Sequence, residues 1–135
     1  MYAGDVPPDK TWQALADDPD AVLVDVRTSA EWDQIGIPDL SGLDRQPILL
    51  EWNRSDGFPN RNFVEELQAA GVAHDAPVYF LCRSGQRSAS AAIAATAAGY
   101  TEAYNIAEGF EGPPGPDGRR SVSGWKVAGL PWRQR

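Results

Sequence analysis

Residues 78–88 read Val78-Tyr79-Phe80-Leu81-Cys82-Arg83-Ser84-Gly85-Gln86-Arg87-Ser88, and an alanine-rich run follows to Ala98. The first four are apolar, two of them aromatic, which suits a strand covered on both faces. The run after Ser88 suits a helix closed by Gly99. Between them, five residues separate Cys82 from the helix start, and they include two arginines and a glycine. A strand that enters a helix through such a turn defines an α/β unit, and ligands in these folds sit outside the carboxyl ends of the strands. Cys82 stands at that place. Gly85 lets backbone N–H groups turn inward, the helix start adds partial positive charge, and Arg83 and Arg87 add two full ones. Each favours a thiolate. The same cradle suits an anionic, oxygen-bearing substrate, so nucleophile and pocket coincide.

The rest of the chain fits this unit. Its 135 residues suit one domain spanning 1–135. A chain of this size buries roughly two-thirds of its unfolded surface. The 42% hydrophobic content suits a globular protein. The net charge of −7 argues against a nucleic acid partner or an anionic membrane surface. Two arginines beside one thiol are therefore a local positive spot on an acidic protein. No apolar run is long enough to span a membrane, and Met1-Tyr2-Ala3-Gly4-Asp5 does not read as a secretory signal. Cys82 is the only cysteine and His74 the only histidine, which leaves no internal disulfide and no zinc site of the usual kind. A reducing, cytoplasmic setting follows as the expectation.

Outward from the central unit, the pattern alternates. Asp5-Val6-Pro7-Pro8 reads as the entry to a helix that carries Trp12 and Leu15 and stops at Asp17-Asp18-Pro19-Asp20. Residues 21–26 (Ala-Val-Leu-Val-Asp-Val) form a strand, and a helix capped by Thr28 or Ser29 follows through Trp32. A loop covers 36–47. Ile48 to Trp52 is a strand, 53–62 a polar loop, and Phe63 to Ala70 a helix stopped by Gly71. Glu102 to Ile106 is the last strand. Gly109 to Gly118 holds four glycines and three prolines and reads as an exposed loop. Residues 123–128 read as a short closing helix. The fold class is α/β, with a central, mostly parallel sheet of about five strands flanked by helices in three layers.

Several segments resemble the rhodanese family of sulfurtransferases. Val22-Leu23-Val24-Asp25-Val26-Arg27 with Glu31-Trp32 is similar to that family's first signature. Gly36-Ile37-Pro38 is similar to a Gly-His-Ile-Pro-Gly motif without its histidine. The loop Cys82-Arg83-Ser84-Gly85-Gln86-Arg87-Ser88 is similar to the family's active-site loop. Asn105-Ile106-Ala107-Glu108-Gly109-Phe110, then Trp125 with Gly129-Leu130-Pro131, resemble its closing elements. The likeness covers nearly the whole chain, in the family's order.

The resemblance implies a rhodanese domain with Cys82 as catalytic nucleophile. Cys82 attacks the outer sulfur of a thiosulfate-like donor, sulfite leaves, and Cys82 carries a covalent persulfide with no other cofactor and no metal. Cyanide, a thiol or an acceptor protein then takes the sulfur. Arg83 and Arg87 neutralise the donor's oxygens. The N–H groups of Ser84, Gly85, Gln86, Arg87 and Ser88 hold the persulfide charge. Asp25 and Arg27 are supporting residues: Asp25 either accepts hydrogen bonds from the Cys82 loop or plays an architectural part, with Arg27 paired to Glu31. With no second cysteine, the persulfide discharges to an external acceptor.

Two other readings stand beside this one. A cysteine phosphatase or arsenate reductase can share the fold, but uses Cys-x5-Arg where this chain has the shorter Cys-x4-Arg, and Leu81 stands where many such phosphatases place histidine. A rhodanese module without catalysis binds partners instead. Trp52 or Trp132 could line the site, although tryptophans of such a chain mostly pack in the core. His74 reads as a solvated loop residue, and Asp17, Asp18 and Asp20 as a solvated helix end without metal.

Overall fold

A computed structural model of the chain describes residues 1–135. It contains the strands β1 (Gly4–Val6), β2 (Val22–Asp25), β3 (Ile37–Pro38), β4 (Ile48–Leu49), β5 (Val78–Leu81), β6 (Ala103–Ile106) and β7 (Trp132–Arg133). The helices are α1 (Pro8–Asp17), α2 (Ser29–Ile35), α3 (Phe63–Ala69) and α4 (Gln86–Ala97). Five strands form one sheet in the order β1-β6-β5-β2-β4, and every neighbouring pair runs parallel. β3 and β7 make a separate antiparallel pair. The expected α/β architecture is the observed one. No helix is long and apolar enough to cross a membrane.

β5 lies at the centre, paired with β2 on one side and β6 on the other. Successive side chains of a strand face opposite ways, so a wholly apolar strand must be covered twice. Val78, Phe80 and Cys82 enter a core with Phe63 and Leu67 of α3 and Ala91, Ala92 and Ala95 of α4. Tyr79 and Leu81 face the other core, with Leu15 of α1, Phe110 and Trp125. The three alanines of α4 are fully buried. Their small side chains bring the α4 backbone close to the sheet, and so bring its first turn close to the end of β5.

α2 starts on the expected Thr28 cap, which makes a complete capping box with Glu31. Four local readings are corrected. Gly4–Val6 is a strand, and only Pro8 begins the helix. Three residues before a proline pair carry no alternation to reveal them; it is the hydrogen bonding to β6 that makes them a strand. The strand expected over 48–52 is regular only at Ile48 and Leu49, although the N–H groups of Leu50 and Trp52 still bond the Asp25 and Val26 carbonyls at 3.0 Å. α4 begins at Gln86, two residues early, because Gly85 takes a left-handed conformation (φ 114°) at its N-cap. Residues 123–128 form turns instead of a helix. Only one helical bond forms there, Ala128 N–H to the Gly124 carbonyl at 2.9 Å; Gly129 N–H then turns back to Lys126 at 3.1 Å, and Trp125 N–H and Lys126 N–H hold the carbonyls of Gly109 and Phe110 at 2.9 and 3.1 Å.

The close seat of α4 has a measurable consequence. Ala92→Leu forces a larger side chain against β5 and β6, with an expected loss of about 1–3 kcal/mol. An unchanged denaturation midpoint in that variant would show that the helix is not pressed on the sheet.

Candidate active site

Cys82 is the residue after β5, and its loop runs from there into α4. The loop's outer carbonyls are taken. Phe110 N–H bonds the Cys82 carbonyl at 2.8 Å, and the N–H groups of Glu111 and Gly112 bond the Arg83 carbonyl at 3.0 and 3.1 Å. Its donors are left over. Ser84, Gly85, Gln86, Arg87 and Ser88 donate to no backbone carbonyl, three of them as the first turn of a helix whose early N–H groups have no intrahelical acceptor. The Gly85 N–H points at Cys82 Sγ from 3.1 Å. Ser88 Oγ lies 3.1 Å from the same sulfur and 2.5 Å from Asn105 Oδ1, so its single proton serves one or the other. Asn105 Nδ2 donates in turn to Asp5 Oδ1 at 3.0 Å. A donor ring around a sulfur at a helix start stabilises negative charge on that sulfur.

Both loop arginines are committed to carboxylates. Arg87 makes a two-pronged pair with Glu31 of α2, Nη1 to Oε1 at 2.7 Å and Nη2 to Oε2 at 3.0 Å. Arg83 Nε lies 3.1 Å from Glu111 Oε1, a charge contact without an aligned hydrogen bond, since that oxygen has no hydrogen-bond partner. Burial alone would raise the Glu31 carboxyl. The Arg87 hydrogen bond, the Thr28 N–H and the charges of Arg87 and Arg27 together outweigh it and hold Glu31 below its ordinary value of 4.5. The Glu31 hydrogen bond raises Arg87, burial opposes it, and the charges of Glu31, Cys82 and Asp25 add to the rise.

The supporting pair differs from both expected arrangements. Arg27 does not pair with Glu31, because Arg87 holds that carboxylate. Nor is Asp25 bonded to the Cys82 loop. The two pair with each other, fully buried, through Arg27 Nε to Oδ1 at 2.9 Å and Nη2 to Oδ2 at 2.7 Å. Nη2 also donates to the Gly36 carbonyl at 2.7 Å, while Nη1 has no partner. The guanidinium lies 4.3 Å from the centre of the Phe110 ring. The pair therefore supports the site at one remove, through the residue whose N–H grips the Cys82 carbonyl.

The 109–118 stretch is the other correction. Its exposed part starts only at Pro113; Gly109, Phe110 and Gly112 are buried against the loop. A side chain at Gly109, which has φ 67°, would put its Cβ 2.5 Å from the Arg83 carbonyl. Glu31, Asn105, Asp5 and Glu111 were not picked out as site residues. Only the position of Glu31 and Asn105 inside the quoted motifs could have marked them. Trp32 and Trp125 are buried, Trp132 is exposed, and Trp52 packs edge-on against Phe63 at 5.0 Å. His74 is exposed, as expected, and stacks on Tyr100 at 4.4 Å. Cys82 itself is only 1% exposed. The two clefts of about 400 Å³ lie elsewhere, one of them at the amino-terminal ends of β2 and β5 and lined by Asp18, Asp20, Asp75 and Glu102.

Fold and site define a rhodanese-like α/β protein with one thiol in its central loop. Residues 4–135 match the family model of the STR4 middle domain, and the chain belongs to that family. The crystal structure of Rv0390 from M. tuberculosis is 51% identical over the full length of both chains, with a TM-score of 0.92. An uncharacterised protein of Rickettsia conorii is 40% identical over 127 residues, 92% of each chain. The chloroplastic rhodanese-like domain-containing protein 4 of Arabidopsis thaliana is 28% identical over 119 residues, which are 87% of this chain and 23% of the plant protein. The polysulfide-sulfur transferase homodimer of Wolinella succinogenes shares the fold at a TM-score of 0.64 and 24% identity, over 97% of this chain and 78% of that one.

Two outcomes follow from this geometry. Gly109→Ala sets a side chain against the loop carbonyls in a strained conformation and should cost about 1–3 kcal/mol; full stability in a melt would contradict the close approach. The Glu31–Arg87 link, whose carboxyl is held low, stabilises the fold above pH 4.5 and is lost as pH falls through the depressed value. The melting-temperature gap between wild type and Glu31→Gln should therefore be level above pH 4.5 and close below it. A gap that widens in acid would reverse that sign.

Proposed function

We propose that the chain is a sulfurtransferase that carries sulfane sulfur as a persulfide on Cys82. The observation that carries this reading is the donor set at Sγ: the Gly85 N–H at 3.1 Å, the Ser88 hydroxyl at 3.1 Å, and a ring of N–H groups with no other backbone acceptor. The thiolate attacks the outer sulfur of a donor, the old S–S bond breaks, and the leaving group departs with that bond's electron pair. With thiosulfate, sulfite leaves. The terminal sulfur of the persulfide then lies among the same N–H groups, which offset its charge. Cyanide or a thiol takes it in a second displacement, in ping-pong fashion. The lone thiol makes that acceptor external, a small molecule or an acceptor protein. No cofactor is needed beyond the persulfide, and a reducing, cytoplasmic setting suits a single unpaired thiol. The six-residue loop from Cys82 to Arg87 supports sulfur rather than phosphoryl chemistry.

A second reading has an observation of its own. Cys82 is 1% exposed and lines neither of the two clefts, which favours a rhodanese-like module that binds a partner without turnover. One experiment separates the two. Thiosulfate treatment should add one sulfur to the intact mass, a reducing thiol should remove it, and cyanide should yield thiocyanate. Cys82→Ser should abolish all three. A wild-type mass unchanged by thiosulfate and by an alkyl persulfide alike points to the binding module, and activity that survives the substitution ends the assignment of Cys82.

A further inference from the structure

Three arginines around the Cys82 loop each have a carboxylate against them. Arg27 is paired with Asp25, Arg87 with Glu31 and Arg83 with Glu111. The sum of these side chains is zero, on a chain whose net charge is −7. A dianion approaching the thiolate therefore finds both loop arginines already committed; Arg120 and Lys126, which have no carboxylate partner, lie against Gly112 and Phe110, the residues that hold the loop's carbonyls. To gain Arg87 it must displace a carboxylate held by two short charge-assisted hydrogen bonds, the strongest kind of such contact. Arg83 is held less well, by the unaligned contact with Glu111. The Arg27 pair is fully buried and out of reach. What remains for the substrate is the N–H ring, which binds one negative charge on sulfur and does not require a charged donor.

We infer that Glu31 is a specificity-determining residue, and that the site takes its sulfur from a neutral or singly charged persulfide (R–S–SH) in preference to a dianionic donor such as thiosulfate. The inference rests on the sulfur-transfer reading above. The step balances as Cys82–S⁻ + R–S–SH → Cys82–S–SH + R–S⁻: one S–S bond forms, one breaks, and the thiolate R–S⁻ leaves with the electron pair. Glu31 acts by cancelling the Arg87 charge, so that a dianion is not attracted while a weakly charged donor loses nothing.

The test compares thiosulfate with an alkyl persulfide as donors to wild type, Glu31→Gln and Glu111→Gln. The readout is the rate at which one sulfur appears on Cys82 in the intact mass. Glutamine at position 31 keeps the capping box with Thr28 and removes only the charge. Because the two donors differ in intrinsic reactivity, the deciding quantity is the ratio of their efficiencies in each protein. Wild type should favour the persulfide. Glu31→Gln should raise thiosulfate loading roughly tenfold, mainly through a lower KM, and shrink that ratio by a similar factor. Glu111→Gln should move the ratio the same way by less, and it carries the test if the first variant fails to melt cooperatively. Thiosulfate loading at least as fast as persulfide loading in wild type, or an unmoved ratio in folded variants, overturns this inference and leaves sulfur transfer standing. No loading from either donor in any of the three proteins removes sulfur transfer itself, and the inference with it.

Discussion

The site depends on a division of backbone polarity in the loop after β5. Its carbonyls at Cys82 and Arg83 face outward and are gripped by the N–H groups of Phe110, Glu111 and Gly112. Its own N–H groups from Ser84 to Ser88 are left without backbone acceptors, and that of Gly85 points at the sulfur. Peptide donors with no protein acceptor seek a partner, so an anion or a sulfur at the loop is the natural complement of these donors. Other parts of the fold serve this arrangement. Gly109 allows the approach, the buried Asp25–Arg27 pair stacks beneath Phe110, and Trp125 N–H holds the Gly109 carbonyl. The small residues of α4 bring the first turn of that helix to the same point.

Charge around the loop is arranged by pairing. In sequence, Arg83 and Arg87 looked like two free cations beside a thiol. In the fold, each meets a glutamate contributed by a distant segment, Glu31 from α2 and Glu111 from the turn after β6. The dipole and N–H contributions survive this cancellation because they belong to the backbone. The site is thus positive at short range, through its peptides, and neutral in its side chains. That combination stabilises charge on the sulfur without drawing in highly charged anions from solution.

The elements that were legible in sequence are those whose signals are local. β5 is a continuous apolar run and β2 is one up to Asp25, α2 carries its capping box within four residues, and α3 ends near a glycine. The elements that were not legible are defined by partners far away. β1 is a strand because Gly4, Asp5 and Val6 meet Tyr104, Asn105 and Ile106. β3 and β7 exist only through each other. The expected helix over 123–128 is a single turn closed by Gly129 N–H to Lys126, docked through Trp125 and Lys126 N–H onto the 109–110 carbonyls, an anchoring that no helical propensity registers.

The sequence by itself determined the α/β class, the place of Cys82 at the end of a central strand, the glycine-containing loop after it and the helix that follows. These are set by hydrophobic period and turn chemistry over a dozen adjacent residues. Only the tertiary structure decided the rest: that Arg27 joins Asp25, that Glu31 takes Arg87, that Asp5 reaches Ser88 through Asn105, and that the sulfur is buried. Hydrogen bonds and charge pairs between segments depend on distances, and the folded chain alone fixes those distances.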